Sequence, residues 1–280
     1  FDSGARMVAP LAAGQLDAGM GSHSAGLFNA LATGIGIKIV ASNQFNTTGR
    51  SPSAIVVRKD LYDAGFRSGP DIRGKTIAVT ALGTTVHANV GRYLERFGIG
   101  PEEVHIVELS QPDMNVSLAN GGIDLANQSE PLVTLGAEQG ILVRLHGVDE
   151  VYPDRESSVI LYGQQFIDHQ PEAARRLMVA YLRAVRDFED AFRKRREQDA
   201  VLDILTTRLP IRDRALWLRM YENGALLYIN PDGRANAESI AWDQDWMLRL
   251  GLVRQRVDMA QVIDNRFVDY AVERLGPYQP

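Results

Sequence analysis

The segment spanning residues 11–34, LAAGQLDAGMGSHSAGLFNALATG, has a relative later in the chain, LANGGIDLANQSEPLVTLGAEQG at residues 118–140. The first halves align without a gap, and the aligned pairs are Leu11 with Leu118, Ala12 with Ala119, Gly14 with Gly121, and Asp17 with Asp124. Each copy predicts a helix that ends at a glycine able to adopt the left-handed conformation, followed by a short apolar strand and a second helix. A helix–strand–helix unit that occurs twice predicts two lobes of similar architecture.

A polar tripeptide stands between strand and helix in each copy, Ser22-His23-Ser24 in the first and Ser129-Glu130-Pro131 in the second. In open α/β sheets this edge is where ligands bind. A histidine donates or accepts hydrogen bonds near neutral pH. We therefore expect His23 and Glu130 to hold one ligand from opposite sides of a cleft. The alternative is an ion pair between them that forms on closure and touches no ligand.

The composition of the 280-residue chain excludes several classes of protein. Its formal net charge of −5 argues against nucleic-acid binding, which needs a basic face. The chain has no cysteine, so disulfides, thiolate nucleophiles and cysteine-based metal sites are excluded. No apolar run reaches the length of a membrane-spanning helix. No signal peptide is visible at Phe1, and we expect a mature or trimmed form from which an earlier strand and helix are left out.

Strands and helices are predicted to alternate along the first half of the chain. The predicted strands are 16–20, 37–41, 53–58, 74–80, 104–109, 123–127, 141–145 and 157–163. The predicted helices are 5–13, 25–33, 86–97, 114–120, 171–196, 201–209, 213–223, 235–250 and 259–275, and a further one follows Pro131. Residues 42–49 are expected to form a polar loop and residues 61–73 an irregular segment. Alternation of this kind predicts βαβ units and an α/β fold whose lobes each hold a mostly parallel sheet flanked by helices.

Two apolar strands, 53–58 and 157–163, are predicted to lead from one lobe to the other and back. We expect lobe 1 to comprise residues 1–56 and 160–280, including the C-terminal helices, and lobe 2 to comprise residues 57–159. Two crossings of this kind form a hinge.

The turn Gly83-Thr84-Thr85 follows a predicted strand and begins a helix. Free backbone N–H groups and the positive end of the helix dipole would suit a carboxylate, a sulfonate, a phosphate or another strong acceptor. Simple N-capping by one of the two threonines is an equally good interpretation.

Amide side chains are expected to line both walls of the cleft. Asn43, Gln44 and Asn46 would lie on one wall, and Gln111, Met114, Asn127 and Gln128 on the other. Amides in such loops are also common as satisfied turn residues. His87 is expected to face solvent, and the spacing of the other histidines suggests no metal.

Sequence motifs of common enzymes are missing: the chain has no GxSxG, HExxH or Walker sequence, and no GxGxxG that opens a helix after a strand. We therefore expect no catalytic residue and no cofactor.

Several stretches together resemble one known family. GQLDAGMGSHSAGLFNALATGIGIKIVAS resembles the early lobe of ABC-transporter solute-binding proteins of the nitrate/sulfonate/taurine type, the SsuA/THI5-like group. DIRGKTIAVTALGTTVHANVGRYLERFGI, ANGGIDLANQSEPLVTLGAEQG and the closing DMAQVIDNRFVDYAVERLG are similar to later segments of that family. The resemblance covers nearly the whole chain. Where many members carry an aromatic residue and an Asp before the proline, this chain has Ser129 and Glu130, and the family's first strand and ligand loop would precede Phe1.

The resemblance implies a two-lobed periplasmic-binding-protein fold of type II, in the periplasm, that closes by its hinge on a small organic solute. It implies a monomer that docks on an ABC permease with its ATPase. The family's ligand positions fall on Ser22, His23 and Ser24, on Gly83, Thr84 and Thr85, and on Asn127, Gln128, Ser129 and Glu130. Hydroxyl-lined loops without an arginine favour a sulfonate, an aromatic acid or a pyrimidine-like molecule over an inorganic oxyanion. The alternatives are an enzyme of pyrimidine or thiamine-precursor metabolism, disfavoured by the absence of cysteine, and a ligand-sensing domain of a regulator.

Overall fold

The computed structural model describes residues 4–280, which form a mixed α/β fold with two sheets flanked by helices. The strands are β1 (Ala18–Gly21), β2 (Ile37–Asn46), β3 (Ser53–Arg58), β4 (Thr76–Val79), β5 (His105–Glu108), β6 (Leu125–Ser129), β7 (Leu142–Gly147) and β8 (Arg155–Gly163). The helices are α1 (Val8–Ala12), α2 (Ala25–Ala32), α3 (Lys59–Asp63), α4 (Thr85–Glu95), α5 (Gln111–Ala119), α6 (Leu132–Glu138), α7 (Val148–Val151), α8 (Gln164–His169), α9 (Pro171–Arg193), α10 (Gln198–Arg208), α11 (Arg214–Glu222), α12 (Ala237–Arg249), α13 (Met259–Val262) and α14 (Arg266–Leu275). Short 3-10 helices occupy Gly4–Met7, Gly69–Ile72 and Pro101–Glu103.

The chain divides into two compact units. The first unit comprises residues 4–45, 155–212 and 228–280, and the second comprises residues 46–154 and 213–227. Residues 46–56 and 213–227, predicted in lobe 1, thus group with the second unit, and residues 155–159, predicted in lobe 2, group with the first. The segment 213–227 joins the second unit through its own contacts, because the Ser51 N–H donates to the Gly224 carbonyl and Arg219 pairs with Glu138.

The predicted internal repeat is confirmed as two helix–strand–helix units. In the first copy β1 lies between α1 and α2, and in the second β6 lies between α5 and α6. The glycines that follow the first helix of each copy, Gly14 and Gly121, have φ angles of 67° and 76°. Only glycine adopts this left-handed conformation without strain, so the same residue type ends the helix in both places.

The sheet of the second unit has the strand order β5-β4-β6-β3-β7. Alternate residues of β3 point to opposite faces, so Ile55 and Val57 pack in one buried cluster and Ala54 and Val56 in another. Helices therefore cover both faces. This explains why the sequence of β3 is continuously apolar from Ala54 to Val57.

The sheet of the second unit is mixed rather than mostly parallel, and the β1–β8 pair of the first unit is antiparallel, which corrects the predicted strand directions. β4 runs parallel to β5 and β6, but β3 runs antiparallel to β6 and β7, and β1 runs antiparallel to β8. β3 is not joined to either neighbour by a single crossover helix, so the rule that makes βαβ strands parallel does not apply to it.

In the first unit the sheet order is β1-β8-β2. Its core includes Val40 of β2, Tyr162 of β8, Met178 of α9 and Phe267 of α14. The apolar faces of α9 and α14 thus cover the sheet.

Some boundaries differ from the prediction. Residues 42–46 extend β2 instead of forming a loop, and part of the expected irregular segment forms α3. The single predicted helix 259–275 is broken between α13 and α14. Ile263 forms a bridge with Ile39 of β2 there, and the Asp264 N–H donates to the Ile39 carbonyl.

Candidate functional site

The turn between β4 and α4 is held by its own hydrogen bonds. Gly83 has a φ angle of 66°, and its N–H donates to Nδ1 of His87 at 3.1 Å. The Thr84 hydroxyl donates to the Ala81 carbonyl at 2.7 Å and makes no capping hydrogen bond to α4, whose first residue is the buried Thr85. The Thr84 side chain therefore leaves the backbone donors of the first turn of α4 uncapped, and the role of Gly83, Thr84 and Thr85 toward a ligand stays a prediction.

His87 lies in the interior, so the prediction that it faces solvent is wrong. Its ring folds back one helical turn to accept the Gly83 N–H and is 5% exposed. Burial lowers the pKa of His87 to about 4, although the charge of Glu108 acts in the opposite direction. The ring is therefore neutral near pH 7 and able to accept the glycine N–H.

The amides at the end of β6 are buried and hydrogen-bonded inside the second unit. The Asn127 carbonyl oxygen Oδ1 accepts from Asn89 of α4 at 2.9 Å, and its Nδ2 donates to the Ala54 carbonyl at 3.1 Å. Gln128 donates from Nε2 to the Gln111 carbonyl and to Oδ1 of Asn115. Both amides thus tie β6 to neighbouring elements, and their role toward a ligand stays a prediction.

Gln111 and Ser129 meet at the same edge of the sheet. The Ser129 N–H is shared between Oε1 of Gln111 at 2.9 Å and Oε1 of Gln128 at 3.0 Å. The Ser129 hydroxyl lies 3.1 Å from that of Ser53. Met114, expected on this wall, is instead fully buried in the core because it lies on the inner face of α5.

Glu130 is half-buried at the start of the segment leading into α6. Its Oε2 accepts the Thr134 N–H at 3.0 Å, and its own N–H donates to the Pro52 carbonyl at 2.7 Å. Burial raises the pKa of Glu130 above its usual value, opposed mainly by the hydrogen bonds from Thr134. A carboxyl of this kind can present either an acceptor or a proton to a neighbour.

The turn before α4 and the end of β6 share one edge of the sheet. β4 and β6 are parallel neighbours, with Ile77 opposite Leu125 and Ala78 opposite Ala126. The carboxyl ends of parallel neighbours emerge on the same side, so the α4 turn and Glu130 follow adjacent strand ends. The N-terminus of α4 and Glu130 therefore lie at the same edge of the second unit's sheet, and their joint role in binding a ligand stays a prediction.

In the first unit, the tripeptide before α2 faces inward. The Ser24 hydroxyl accepts the Leu27 N–H at 3.3 Å and caps α2, while Ser22 is half-buried. His23 is 0% exposed, and its Nε2 lies 2.6 Å from Oδ2 of Asp243. The role of Ser22, His23 and Ser24 in ligand binding stays a prediction, and the structure adds to His23 a partner that sequence reasoning missed.

Asp243 also pairs with Arg155, so three fully buried polar side chains form one cluster. Nη2 of Arg155 lies 2.7 Å from the same Oδ2. Among the described residues, no hydrogen-bond partner is found for Nδ1 of His23 or for Oδ1 of Asp243. The members of the cluster come from the start of α2, the start of β8 and the middle of α12. No local spacing in the sequence could have revealed them.

Glu156, the next residue, forms a second buried polar cluster. Its Oε1 accepts from the Ser42 hydroxyl at 2.9 Å and its Oε2 from the Asn236 N–H at 3.1 Å. Beside it, Nδ2 of Asn43 donates to the Ser158 hydroxyl at 2.9 Å. Asn43 thus supports the junction of β2 with β8.

Two further predicted amides lie near the end of β2. The half-buried Gln44 side chain makes no hydrogen bond among residues 4–280, whereas buried Asn46 accepts from the Ser51 hydroxyl. Of the predicted side chains on β2, Gln44 is thus the one that internal hydrogen bonds leave available to a ligand.

Within the described part of the chain, no three His, Cys, Asp or Glu side chains come together in a way that could hold a metal ion. Among those same residues, no helix combines the length and the apolar composition that crossing a bilayer requires.

Comparison with known proteins shows the same fold and a family. The alkanesulfonate-binding protein SsuA from Xanthomonas axonopodis pv. citri, bound to MOPS, is 17% identical with a TM-score of 0.72, and the match covers 95% of this chain and 86% of that one. The periplasmic nitrate-binding protein NrtA from Synechocystis PCC 6803 is 14% identical with a TM-score of 0.74, and the match covers 99% of this chain and 80% of that one. At these identities the likeness concerns the fold.

A curated relative is similar in sequence. The taurine-binding periplasmic protein of Escherichia coli (strain K12) is 33% identical over 142 residues, which are 50% of this chain and 41% of that protein. The chain thus matches less than half the length of this relative. The family model described as NMT1/THI5 like matches residues 3–190, more than half of the chain. The resemblance noted in the sequence is confirmed: the chain belongs to the NMT1/THI5-like family.

Proposed function

We propose that the chain is the extracytoplasmic solute-binding component of an ABC importer and that it captures a small organic solute. Membership of the NMT1/THI5-like family supports this proposal, and the named relatives bind taurine, alkanesulfonates or nitrate by their names. The observation that carries it furthest is the shared edge of β4 and β6, where the α4 turn and Glu130 follow adjacent strand ends.

The proposed solute carries an acidic group and hydrogen-bonding groups, as a sulfonate, an aromatic acid or a pyrimidine-like molecule does. The acidic group would be held by the backbone N–H groups that begin α4, which favour negative charge. Glu130 would contact a donor or an acceptor of the same solute. The proposed partners are a permease and its ATPase, which would receive the loaded monomer.

Replacing Thr84 by Ala together with Glu130 by Gln is expected to weaken solute binding about tenfold. Each substitution removes one polar side-chain group that would contact the solute or hold a neighbouring group in place to do so. The melting temperature should change by less than about 3 °C, because neither side chain is deeply buried. Isothermal titration with taurine, MOPS and nitrate measures the affinity, and circular dichroism measures the melting temperature. The matched control combines Thr48→Ala with Glu102→Gln, two exposed positions of the same unit, and should bind as the wild type does. A large fall in melting temperature with unchanged affinity would show that the two residues are structural.

We further propose that the two units close on the solute. Binding shifts a population only through better contacts in the closed state. Small-angle scattering should therefore show a smaller radius of gyration when a bound solute is present. Mass spectrometry of the recovered solute is the control, because a binding protein returns it unchanged and an enzyme does not. Unchanged scattering with every solute that binds would count against closure, and a new product would favour the enzymatic alternative.

A further inference from the structure

A groove on the first unit runs between α9 and α14, remote in sequence from the groups described above. Its volume is about 440 Å³, and six residues line it. These are Arg176, Val179, Ala180, Arg183, Tyr270 and Arg274. The groove thus has an apolar and aromatic floor, three guanidinium groups and no lining carboxylate.

The guanidinium groups of this groove lack the partners that neighbouring arginines have. On the same helix, Arg175 pairs with Glu172 and Arg186 pairs with Asp232. In contrast, Arg176 and Arg183 form no ion pair with any carboxylate among residues 4–280, and both are exposed. Unpaired positive charge concentrated beside an apolar floor distinguishes this groove from an ordinary solvated helix face.

Tyr270 separates the groove from a second one of opposite character. The second groove, of about 400 Å³, is lined by Arg175 and Arg266 but also by Asp269 and Glu273. The guanidinium of Arg274 lies 5.0 Å from the centre of the Tyr270 ring, and that of Arg175 lies 5.4 Å from it. Of the two grooves, only the one lined by Arg176, Arg183 and Arg274 has no carboxylate among its lining residues.

We propose that this groove binds an acidic segment of a partner protein. Arg176 and Arg183 are seven residues apart on one helix, so two helical turns, about 10.5 Å, separate their backbone positions. Carboxylates at a similar spacing on a peptide would meet both guanidiniums, and an apolar side chain between them would cover Val179 and Tyr270. Charge complementarity identifies the occupant, because Arg guanidiniums bind carboxylates in bidentate geometry.

The shape of the groove favours a peptide over a bilayer or a small anion. A bilayer surface is flat and would meet a groove only along its rim. A small anion held by three exposed guanidiniums gains little in water, since exposed ion pairs contribute little each. A peptide adds the burial of apolar groups on the groove floor.

The test uses the whole chain and a short fluorescein-labelled peptide of Glu and Leu, with a Gln-for-Glu peptide as the control probe. The variant R176Q/R183Q/R274Q is expected to bind the acidic peptide about tenfold more weakly than the wild type, by fluorescence anisotropy at low salt. A matched variant, R195Q/R208Q/R254Q, removes three exposed arginines of the same unit and should bind as the wild type does. If the first variant does not fold by circular dichroism, R176Q/R183Q replaces it.

The outcomes are distinct. Loss of peptide binding in the groove variant alone supports the proposal, as does weakening by added salt. Equal binding of the Gln peptide, equal loss in both variants, or no binding by the wild type overturns it. Arginine-dependent binding of phosphatidylglycerol vesicles without peptide binding overturns it in favour of a membrane surface. This test is independent of solute binding.

Discussion

Replacing Asp243 by Asn is expected to lower the free energy of unfolding by about 3 kcal/mol or more. Oδ2 of Asp243 lies within 2.7 Å of both the Arg155 guanidinium and the His23 ring, and all three side chains are 0% exposed. Removing one partner of a buried ion pair leaves an uncompensated charge in a medium that solvates it poorly. Asn cannot supply the missing charge, although it has the shape of Asp. Urea denaturation measures the change.

The same helix offers a matched control for Asp243. Asp245 pairs with Arg256 at 2.7 Å, but that pair is largely exposed. Asp245→Asn removes one negative charge and should cost less than about 1 kcal/mol. If D243N and D245N lose similar amounts of unfolding free energy, burial does not determine how much the Asp243 cluster contributes to stability.

A double-mutant cycle would show whether the Asp243–Arg155 contact itself carries the effect. The two groups touch, so the variant D243N/R155Q should lose less stability than the sum of the single variants, by about 1 kcal/mol or more. If the losses of stability in the two single variants simply add, the cost arises from the separate packing of each side chain and not from the contact between them.

The repeated pattern of the chain could be predicted because it is local. Helix ends at Gly14 and Gly121 and the apolar runs of β3 and β8 are encoded by neighbouring residues. The antiparallel direction of β3 could not be predicted, since it depends on which strands lie beside it. The break before α14 has the same origin, because the partner of Asp264 is the carbonyl of Ile39.

The backbone features of the candidate site could be predicted from the sequence, but the environment of its side chains could not. The turn at Gly83 and the strand end at Ser129 could be predicted because an apolar strand is followed there by glycine or hydroxyl residues. Asn127 and Gln128 are the same residues in the sequence whether their amides are exposed to solvent or, as here, hydrogen-bonded to buried partners. Those partners, Asn89 and Asn115, lie on α4 and α5, at 38 and 13 residues from the amides that they contact. Local sequence contains no information on which of the two environments applies.

Glu156→Gln is expected to change how stability depends on pH. Burial raises the pKa of Glu156 to about 8, outweighing the hydrogen bonds from Asn236, Ser42 and Asn43 and the charge of Arg155, whereas its usual value is 4.5. Between these two values the folded protein holds a proton that the unfolded chain has released. The folded state binds more protons, so the free energy of unfolding falls as pH rises through this window, by up to about 1.4 kcal/mol per pH unit. The contribution of Glu156 is fully present below pH 4.5 and is lost by about pH 8.

The measurement compares urea denaturation of the wild type and E156Q at about pH 5 and about pH 7.5, where the wild type should lose about 3 kcal/mol relative to the variant. Gln can keep the neutral contacts, since its carbonyl can accept the Asn236 N–H and its amide can donate to the Ser42 hydroxyl. E238Q, at an exposed position of α12, controls for the loss of one acidic side chain. If the difference between wild type and E156Q is the same at both pH values, Glu156 does not hold its proton in the folded state.

The chemistry of the partners explains why Glu156 and Asp243 should respond differently, although both are fully buried. Asp243 meets a guanidinium directly, so its substitution exposes a charge imbalance at any pH at which the protein is folded. Glu156 meets a hydroxyl and backbone N–H groups, which are neutral and give less stabilisation to a carboxylate than a cation does. A variant with a shorter side chain, Glu156→Asp, should therefore retain a falling pH dependence, because the carboxyl stays buried and its hydrogen-bond donors are neutral. If the pH dependence of stability is lost in E156Q but kept in E156D, the proton on the side chain of residue 156 is its cause.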